Sequence, residues 1–411
     1  MEVVANKHSK KYPIELNYND LGCFGEKKTT SLVFSLEDAK RLLVDLETAI
    51  KEIEKKMNME KYEKVILVTG GLGFIGSHIL RHLVNEHPNW LIINMDAWTY
   101  AGNHDNINDL LGKENFKEYL GFALGDISDP HQVSAVFYDE QITDVIHLAA
   151  ESHVDNSITG PRPFIETNIV GTFNLLEAAR KYWKDEPNHK FYYFSTDEVF
   201  GYLNMGEEPF DEEHKLNPTS PYSASKACGD LLAKAYFKTF KLPVVISHMC
   251  NAIGPNQYPE KLVPATIDRI LNGEPIIVYD QGLQMREWIY TDDIVSAAMC
   301  VFERGVPGQA YNIGSGNECK NIDLVMHIIE RVCAETTFNV KEFNAKRNNV
   351  QIKFVENARP GHDFRYAIDN SKLINELGWE GAKNNITDCV DKTVDWYLKN
   401  QDWVENLKNR K

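Results

Sequence analysis

From Val65 onward, short and largely apolar runs alternate with longer amphipathic stretches. Val65–Thr69, Leu91–Met95, Asp144–Leu148, Phe191–Ser195 and Val244–His248 are runs of the kind that strands buried on both faces require. Between the first two, Ile75, Ile79, Leu80 and Leu83 recur at helical spacing, and Asn168–Tyr182 and Ser223–Phe240 read as further helices. Strands separated by helices predict an α/β fold with a doubly wound parallel sheet. We assign that sheet domain to residues 62–250. Beyond about residue 250 the chain is richer in Pro, Gly and loop signals, which predicts a smaller lobe over 251–411, with about 290–313 returning to the sheet.

Residues 1–61 follow another pattern. Ser35-Leu36-Glu37-Asp38 resembles a capping box, and Leu36, Ala39, Leu43, Leu46, Ile50 and Ile53 then recur at three- and four-residue spacing. The spacing predicts an amphipathic helix ending near Lys56, preceded by short strands at Tyr12–Asn17 and Thr30–Phe34. The result is a small α+β extension that carries no recognisable chemistry and reads as a docking module.

Charge narrows the function. The chain has 44 Lys plus Arg against 60 Asp plus Glu, a net of −16, and lacks the basic footprint of a nucleic-acid binder. Through Lys64 the charges balance at twelve of each sign, so the acidity belongs to the remainder. No apolar stretch is long enough to span a bilayer, and the N-terminus has no basic segment leading into an apolar one. The seven cysteines are scattered without a C-x-x-C pair, which predicts reduced, mostly buried thiols and no metal site. A cytoplasmic location is expected.

Gly70-Gly71-Leu72-Gly73-Phe74-Ile75-Gly76 follows the first apolar run and opens the first helix. In a Rossmann-type fold such glycines make a tight turn, let backbone approach a pyrophosphate, and pack helix on strand. The helix N-terminus then offers free N–H groups to the phosphates. Asp96 stands twenty residues after Gly76, at the end of the second run. A carboxylate there accepts from ribose hydroxyls and repels a 2′-phosphate, which favours NAD over NADP. Asp126-Ile127, after another strand-like approach, is placed to flank the adenine.

Tyr222-Ser223-Ala224-Ser225-Lys226 puts Tyr222 and Lys226 on one helix face. An ammonium beside a phenol stabilises the phenolate, so Tyr222 is expected to ionise more easily and take a hydroxyl proton while hydride leaves the same carbon. Lys226 is also placed to hold the nicotinamide ribose. Ser195-Thr196-Asp197-Glu198-Val199 follows directly on an apolar run, where such folds place their chemistry. Alcohol oxidation needs only the tyrosine, the lysine and a hydroxyl. Two adjacent carboxyls therefore imply a second proton-transfer task, one as acid and one as base.

These runs, together with Val68–Ser77, Thr99–Asn103, Leu148–Asp155, Ile158–Pro161, Ile165–Gly171, Ser220–Ala227, Tyr258–Leu262, Arg286-Glu287-Trp288, Tyr311–Gly314 and Arg359–His362, resemble the extended short-chain dehydrogenase/reductases. Within that family the chain is most similar to the nucleotide-sugar 4,6-dehydratases of the dTDP-glucose type. The resemblance covers about 340 residues, all but the N-terminal extension. It implies a hydro-lyase: oxidation at C4 of the sugar, loss of water across C5–C6, and return of hydride to C6. It further implies that Tyr222 and Lys226 serve the oxidation, Thr196 binds the C4 oxygen, Glu198 removes the C5 proton and Asp197 protonates the departing C6 hydroxyl. NAD is implied against Gly70, Gly73, Phe74, Ile75, Gly76, Asp96, Thr99, Asp126, Ile127, Leu148, Ala149, Ala150 and Thr167, besides Tyr222 and Lys226. Substrate contacts are implied for Ser152 and Asn251 on the sugar, Lys261, Leu262 and Tyr279 on the nucleotide, Arg286 and Arg359 on the diphosphate, and Asn321 and His362. Relatives pair through two helices per subunit, which here implies a homodimer.

Four departures bear on the details. Asn251-Ala252 stands where the family usually has two asparagines, Ala358 where an Asp often precedes R-P-G-H, and Phe200 where Tyr is usual. After Asp402-Trp403-Val404 the sequence lacks the tail from which relatives supply a tyrosine to the nucleotide, so thymidine and uridine both remain open. A nucleotide-sugar 4-epimerase or decarboxylase would share the fold, NAD, Tyr222 and Lys226. An epimerase has no use for Asp197, and two acids would repel the carboxylate a decarboxylase must bind. A non-catalytic NAD-binding scaffold is the alternative of another class.

Overall fold

The computed structural model describes residues 2–5, 14–21, 27–34, 37, 40–46, 61–112, 116–184, 188–334, 350–356 and 363–409. The chain divides into two units, Met1–Glu63 and Lys64–Lys411. In the first, strands β1 (Glu2–Ala5), β2 (Ile14–Leu21) and β3 (Lys27–Phe34) form an antiparallel sheet, and residues 40–46 are helical. The expected strands lengthen to β2 and β3, because pairing from Ile14↔Phe34 to Leu21↔Lys27 carries polar residues along with apolar ones. The rest of the expected helix, toward Lys56, lies outside the described residues.

The second unit is built on a seven-stranded sheet. Its strands are β4 (Lys64–Thr69), β5 (Trp90–Asp96), β6 (Leu120–Leu124), β7 (Asp144–His147), β8 (Lys190–Thr196), β9 (Val244–Met249) and, after a long excursion, β13 (Ala310–Ile313). Their order is β13-β9-β8-β7-β4-β5-β6, and every pairing is parallel. Burial on both faces explains the continuous apolar runs: Ile66, Leu67, Val68, Val145 and Ile146 are fully buried. The order reverses between β4 and β7, and such a switch opens a crevice at the carboxyl ends of the strands.

Helix α1 (Phe74–Glu86) follows β4, and α2 (Thr172–Trp183) precedes β8. Ahead of α2, Ile165–Gly171 is a π-helical stretch where a plain helical start was expected at Asn168. Asn168 explains it. Its amide donates to the Glu151 carbonyl at 3.0 Å and accepts from the Glu151 N–H at 2.9 Å, and this bracing of the adjacent loop holds the widened turn. Helix α3 (Pro221–Phe240) is locked at its start by a reciprocal cap between Ser220 and Ser223, with Pro221 in the first turn. It lies close on β8: a Cβ at Gly229 would come within 2.1 Å of the Tyr193 hydroxyl.

The smaller lobe holds β10 (Asn251–Ile253), β11 (Ile276–Tyr279), β12 (Met285–Tyr290), β14 (Glu318–Lys320) and β15 (Ile352–Val355). They pair as β10-β12-β14 and β11-β15. Its own core gathers Ile253, Ile267, Val325, Val394 and Trp403. The expected single lobe over 251–411 needs one correction beyond residues 290–313. Ala367, Ile368, Leu373, Leu377 and Trp379 pack into the sheet core, because Leu203 and Phe210 donate backbone hydrogen bonds to the Arg365 and Ala367 carbonyls and draw that segment across.

Of the seven cysteines, six are described and no disulfide joins any two of them; Cys250, Cys300 and Cys389 are buried, while Cys228, Cys319 and Cys333 are half-buried. No helix among the described residues is long and apolar enough to cross a membrane.

Candidate active site

The crevice at the switch point is floored by the glycine turn. Gly70 takes φ +73°, a backbone region that side chains disfavour, and a Cβ there would meet the Ala149 backbone at 2.8 Å. A Cβ on Gly76 would lie 2.1 Å from the Gly70 carbonyl oxygen. Asn94 and Asp96, at the end of β5, hold the turn by accepting from the N–H groups of Gly71 at 2.9 Å and Leu72 at 3.0 Å. Asp96 also accepts from Trp98 N–H at 2.8 Å, and burial raises its carboxyl from the ordinary range. Helix α1 has Gly73 as an uncapped N-terminal residue and no acid in its first turn. Its free N–H groups therefore face the crevice.

This cradle fits a dinucleotide: the backbone is bare where phosphates must come close, and a carboxylate stands at the ribose end. Gly70, Gly73, Phe74, Ile75, Gly76, Asp96, Thr99, Asp126, Ile127, Leu148, Ala149, Ala150 and Thr167 all line one cavity, with Tyr222 and Lys226 at its inner end. Gly76→Ala is expected to cost about 1–3 kcal/mol of stability through forced overpacking and to leave the purified protein without bound NAD. Thermal unfolding and the ultraviolet absorbance of the purified protein check both.

A second cavity shares Phe74, Ile75, Ser152, Tyr222 and Lys261 with the first and is lined by Thr196, Asp197, Glu198, Asn251, Leu262, Arg286 and Asn321. A third adds Tyr279 and shares Glu260, Leu262 and Asn321 with the second. The three form one groove running from the dinucleotide cradle into the smaller lobe. Arg359 and His362 lie outside the described residues.

Thr196 ends β8 and caps the turn Asp197–Phe200. Its hydroxyl accepts from Glu198 N–H at 3.4 Å and donates to Asp197 Oδ1 at 3.1 Å. Asp197 is buried, and its Oδ2 has no partner among the described residues. Burial first, then the negative charges of Glu198 and Glu287, push its carboxyl well above the usual range. Asp197 is therefore biased toward its protonated form, with an unengaged oxygen in a cavity that Glu198 also lines.

Tyr222 differs from expectation. Burial, and after it the charge of Glu198, raise its phenol rather than lowering it. Lys226 is not what faces it most directly: the ammonium donates to the Phe194 carbonyl at 2.6 Å and lies 4.4 Å from the centre of the Tyr193 ring. Burial brings Lys226 down to about 8. Thr196 works the other way on Tyr222 and eases the phenol down through a side-chain hydrogen bond.

Arg286 is buried in the wall of the second cavity. Its guanidinium donates to the carbonyls of Met285 at 2.7 Å and Asp363 at 2.9 Å and stacks on Tyr366 at 4.4 Å. Lys261 reaches across the groove and donates to the Ser152 carbonyl at 2.6 Å. Asn251 and Asn321 each keep a buried side-chain oxygen without a partner among the described residues. Sequence reasoning gave Glu260 no role, although it lines all three cavities and accepts from the Tyr100 hydroxyl at 3.3 Å. The Tyr258–Leu262 run was the signal available for it. Ser195 likewise lines both inner cavities, with a hydroxyl that has no partner among the described residues.

Residues 67–393 match the family model of GDP-mannose 4,6 dehydratase. A dTDP-glucose 4,6-dehydratase of Shigella flexneri is 43% identical over 357 residues, covering 84% of this chain and 95% of that protein. The enzyme of that name from Neisseria meningitidis serogroup B is 41% identical over 351 residues, covering 84% and 96%. Among solved structures, a Bacillus anthracis dTDP-glucose 4,6-dehydratase in complex with NAD superposes with TM-score 0.72 at 37% identity, covering 84% of this chain and 99% of that one. A Thermus thermophilus UDP-glucose 4-epimerase complex with NAD also superposes, at TM-score 0.70 and 26% identity over 82% and 99%. The fold is thus common to several chemistries, while the higher identities fall on the dehydratases. By the span of the family match and by these identities, the chain belongs to the GDP-mannose 4,6 dehydratase family.

Proposed function

We propose that the protein is an NAD-dependent hydro-lyase that converts dTDP-glucose to its 4-keto-6-deoxy sugar. The observation that carries this reading is the pairing of Asp197, its carboxyl pushed up by burial, with Glu198 in the same cavity as Tyr222. Bound NAD supplies a hydride acceptor at C4 and the same hydride later at C6. The remaining steps are proton transfers by side chains. Tyr222 takes the C4 hydroxyl proton, with Thr196 orienting the C4 oxygen. The ketone so formed acidifies the C5–H, which Glu198 removes. Asp197 gives its proton to the C6 oxygen as the C6–O bond breaks, releasing water. The proton on Glu198 returns to C5, Tyr222 releases the proton it gained and Asp197 regains one through solvent, so the side chains are restored, and the return of hydride to C6 makes the reaction redox-neutral.

Support for a diphosphate lies in the cationic side of the groove, where Lys261 and Arg286 compensate a protein of net charge −16. Thymidine is favoured over uridine by the relatives named above. Purified protein incubated with dTDP-glucose, and separately with UDP-glucose, is expected to give a product lighter by one water, faster from dTDP-glucose. No water loss from either sugar nucleotide would overturn the reading.

The enzyme is further proposed to be cytoplasmic and to act as a homodimer through α2 and α3. The exposed side chains Val170, Phe173, Leu231 and Phe240 on and beside these helices support the pairing. Light scattering at micromolar protein should give twice the chain mass; a monomer would refute it.

A further inference from the structure

We propose that Asp230 and His248 form a buried, proton-sharing pair that positions the charge of Lys226 for the oxidation at C4. This rests on the dehydratase reading above, since it concerns the same lysine. Tyr222, Lys226 and Asp230 follow one another at four-residue spacing on α3, so Asp230 lies one turn beyond the lysine on the same face. Asp230 and His248 are both fully buried, and His248 Nε2 lies 2.9 Å from Asp230 Oδ2. The other carboxyl oxygen of Asp230 has no partner among the described residues.

The proton content of the pair follows from its neighbour. Asn312 donates its Nδ2 to the Phe210 carbonyl at 2.9 Å, which fixes the amide so that Oδ1 faces His248 Nδ1 at 3.2 Å. An amide oxygen only accepts, so Nδ1 carries hydrogen. A bare Nε2 lone pair would then repel the carboxylate, so a second proton lies between Nε2 and Oδ2. With that proton on the imidazole, Asp230 is an anion next to Lys226, and its charge favours the ammonium that burial disfavours. His248 also packs its ring on Phe200, at the end of the turn that carries Asp197 and Glu198. The pair thus joins the tyrosine–lysine helix to the acid turn and the edge strand β13.

Other ionisable groups face this assembly. Lys226 meets Tyr193 on β8 and acts on His147 on β7, where burial first, then the lysine, lower the imidazole; Tyr222 is one helical turn before it on α3. Asp230 also faces Tyr193. His248 faces Glu212, whose carboxyl accepts from Asn312 N–H at 2.7 Å.

The test titrates Lys226 directly, in the NAD-containing protein as purified, by NMR of 13Cε-labelled lysine, with Lys226→Met assigning the signal. Removing the anion in Asp230→Asn should move the Lys226 titration down by about one pH unit, as expected for the loss of an opposite charge on the next helical turn. Removing the cation in His248→Gln should move it up by a similar amount. The alkaline limb of kcat/KM with dTDP-glucose should follow in both directions. A purely structural role would move neither titration, or both the same way, and either result in folded, NAD-containing variants overturns the proposal. If Asp230→Asn does not fold, an unmoved Lys226 in His248→Gln alone overturns it. The titration needs no substrate, so it decides this proposal even where dTDP-glucose is not turned over, which would count against the dehydratase reading instead.

Discussion

Asp197→Asn is expected to lower the rate of water loss from dTDP-glucose by about 10²- to 10⁴-fold, the range a positioned general acid supplies. Asn has the same shape, and its amide oxygen still accepts from Thr196, so the turn should stay folded. What it lacks is a proton to give the C6 oxygen. The wild-type carboxyl is pushed toward its protonated form by burial, then by Glu198 and Glu287. A raised folded value means the acid form persists to higher pH than in an ordinary carboxyl and is lost as pH rises through that value. The variant should still oxidise C4 and still exchange the C5 hydrogen with deuterated solvent, because those steps are the ones proposed for Tyr222 and Glu198. Mass spectrometry of recovered sugar nucleotide separates the two rates. Exchange that falls in step with water loss would place Asp197 in another role.

Glu198→Gln should show the opposite pattern. Both C5 exchange and water loss are expected to fall by about 10²- to 10⁴-fold, since the proposed base is gone. A second effect has a definite sign. The Glu198 charge raises Tyr222 after burial does, and it also raises Asp197. Without it both groups ionise more readily, so the acidic limb of C4 oxidation should move to lower pH. A profile left where it was would show that Glu198 does not act on Tyr222 across the cavity.

Much of this was legible in the residues. Apolar runs bounded by Gly70–Gly76 located β4 and the cradle, because a strand buried on both faces leaves no choice of side chain and a phosphate turn leaves little. The spacing of Tyr222 and Lys226 placed both on α3 for the same kind of reason. What spacing does not encode is the dielectric around a side chain. The four-residue interval suggested that Lys226 would lower Tyr222, whereas the lysine donates to the Phe194 carbonyl and burial governs the phenol. The Asp230–His248 pair was equally hidden. Its members lie on different elements, and only the packing of α3 against the sheet brings them together. The segment Ala367–Trp379 was misassigned because its return to the sheet core depends on backbone pairing with Leu203 and Phe210, which leaves no periodic mark.

The central claim is that oxidation, elimination and reduction occur on one sugar at one site. Substrate carrying deuterium at C4 tests it most directly, followed by mass spectrometry and NMR of the product. The account predicts a product lighter by one water that retains the deuterium, now at C6. Loss of water with the label washed into solvent, or a labelled product that keeps its C6 oxygen, would contradict it.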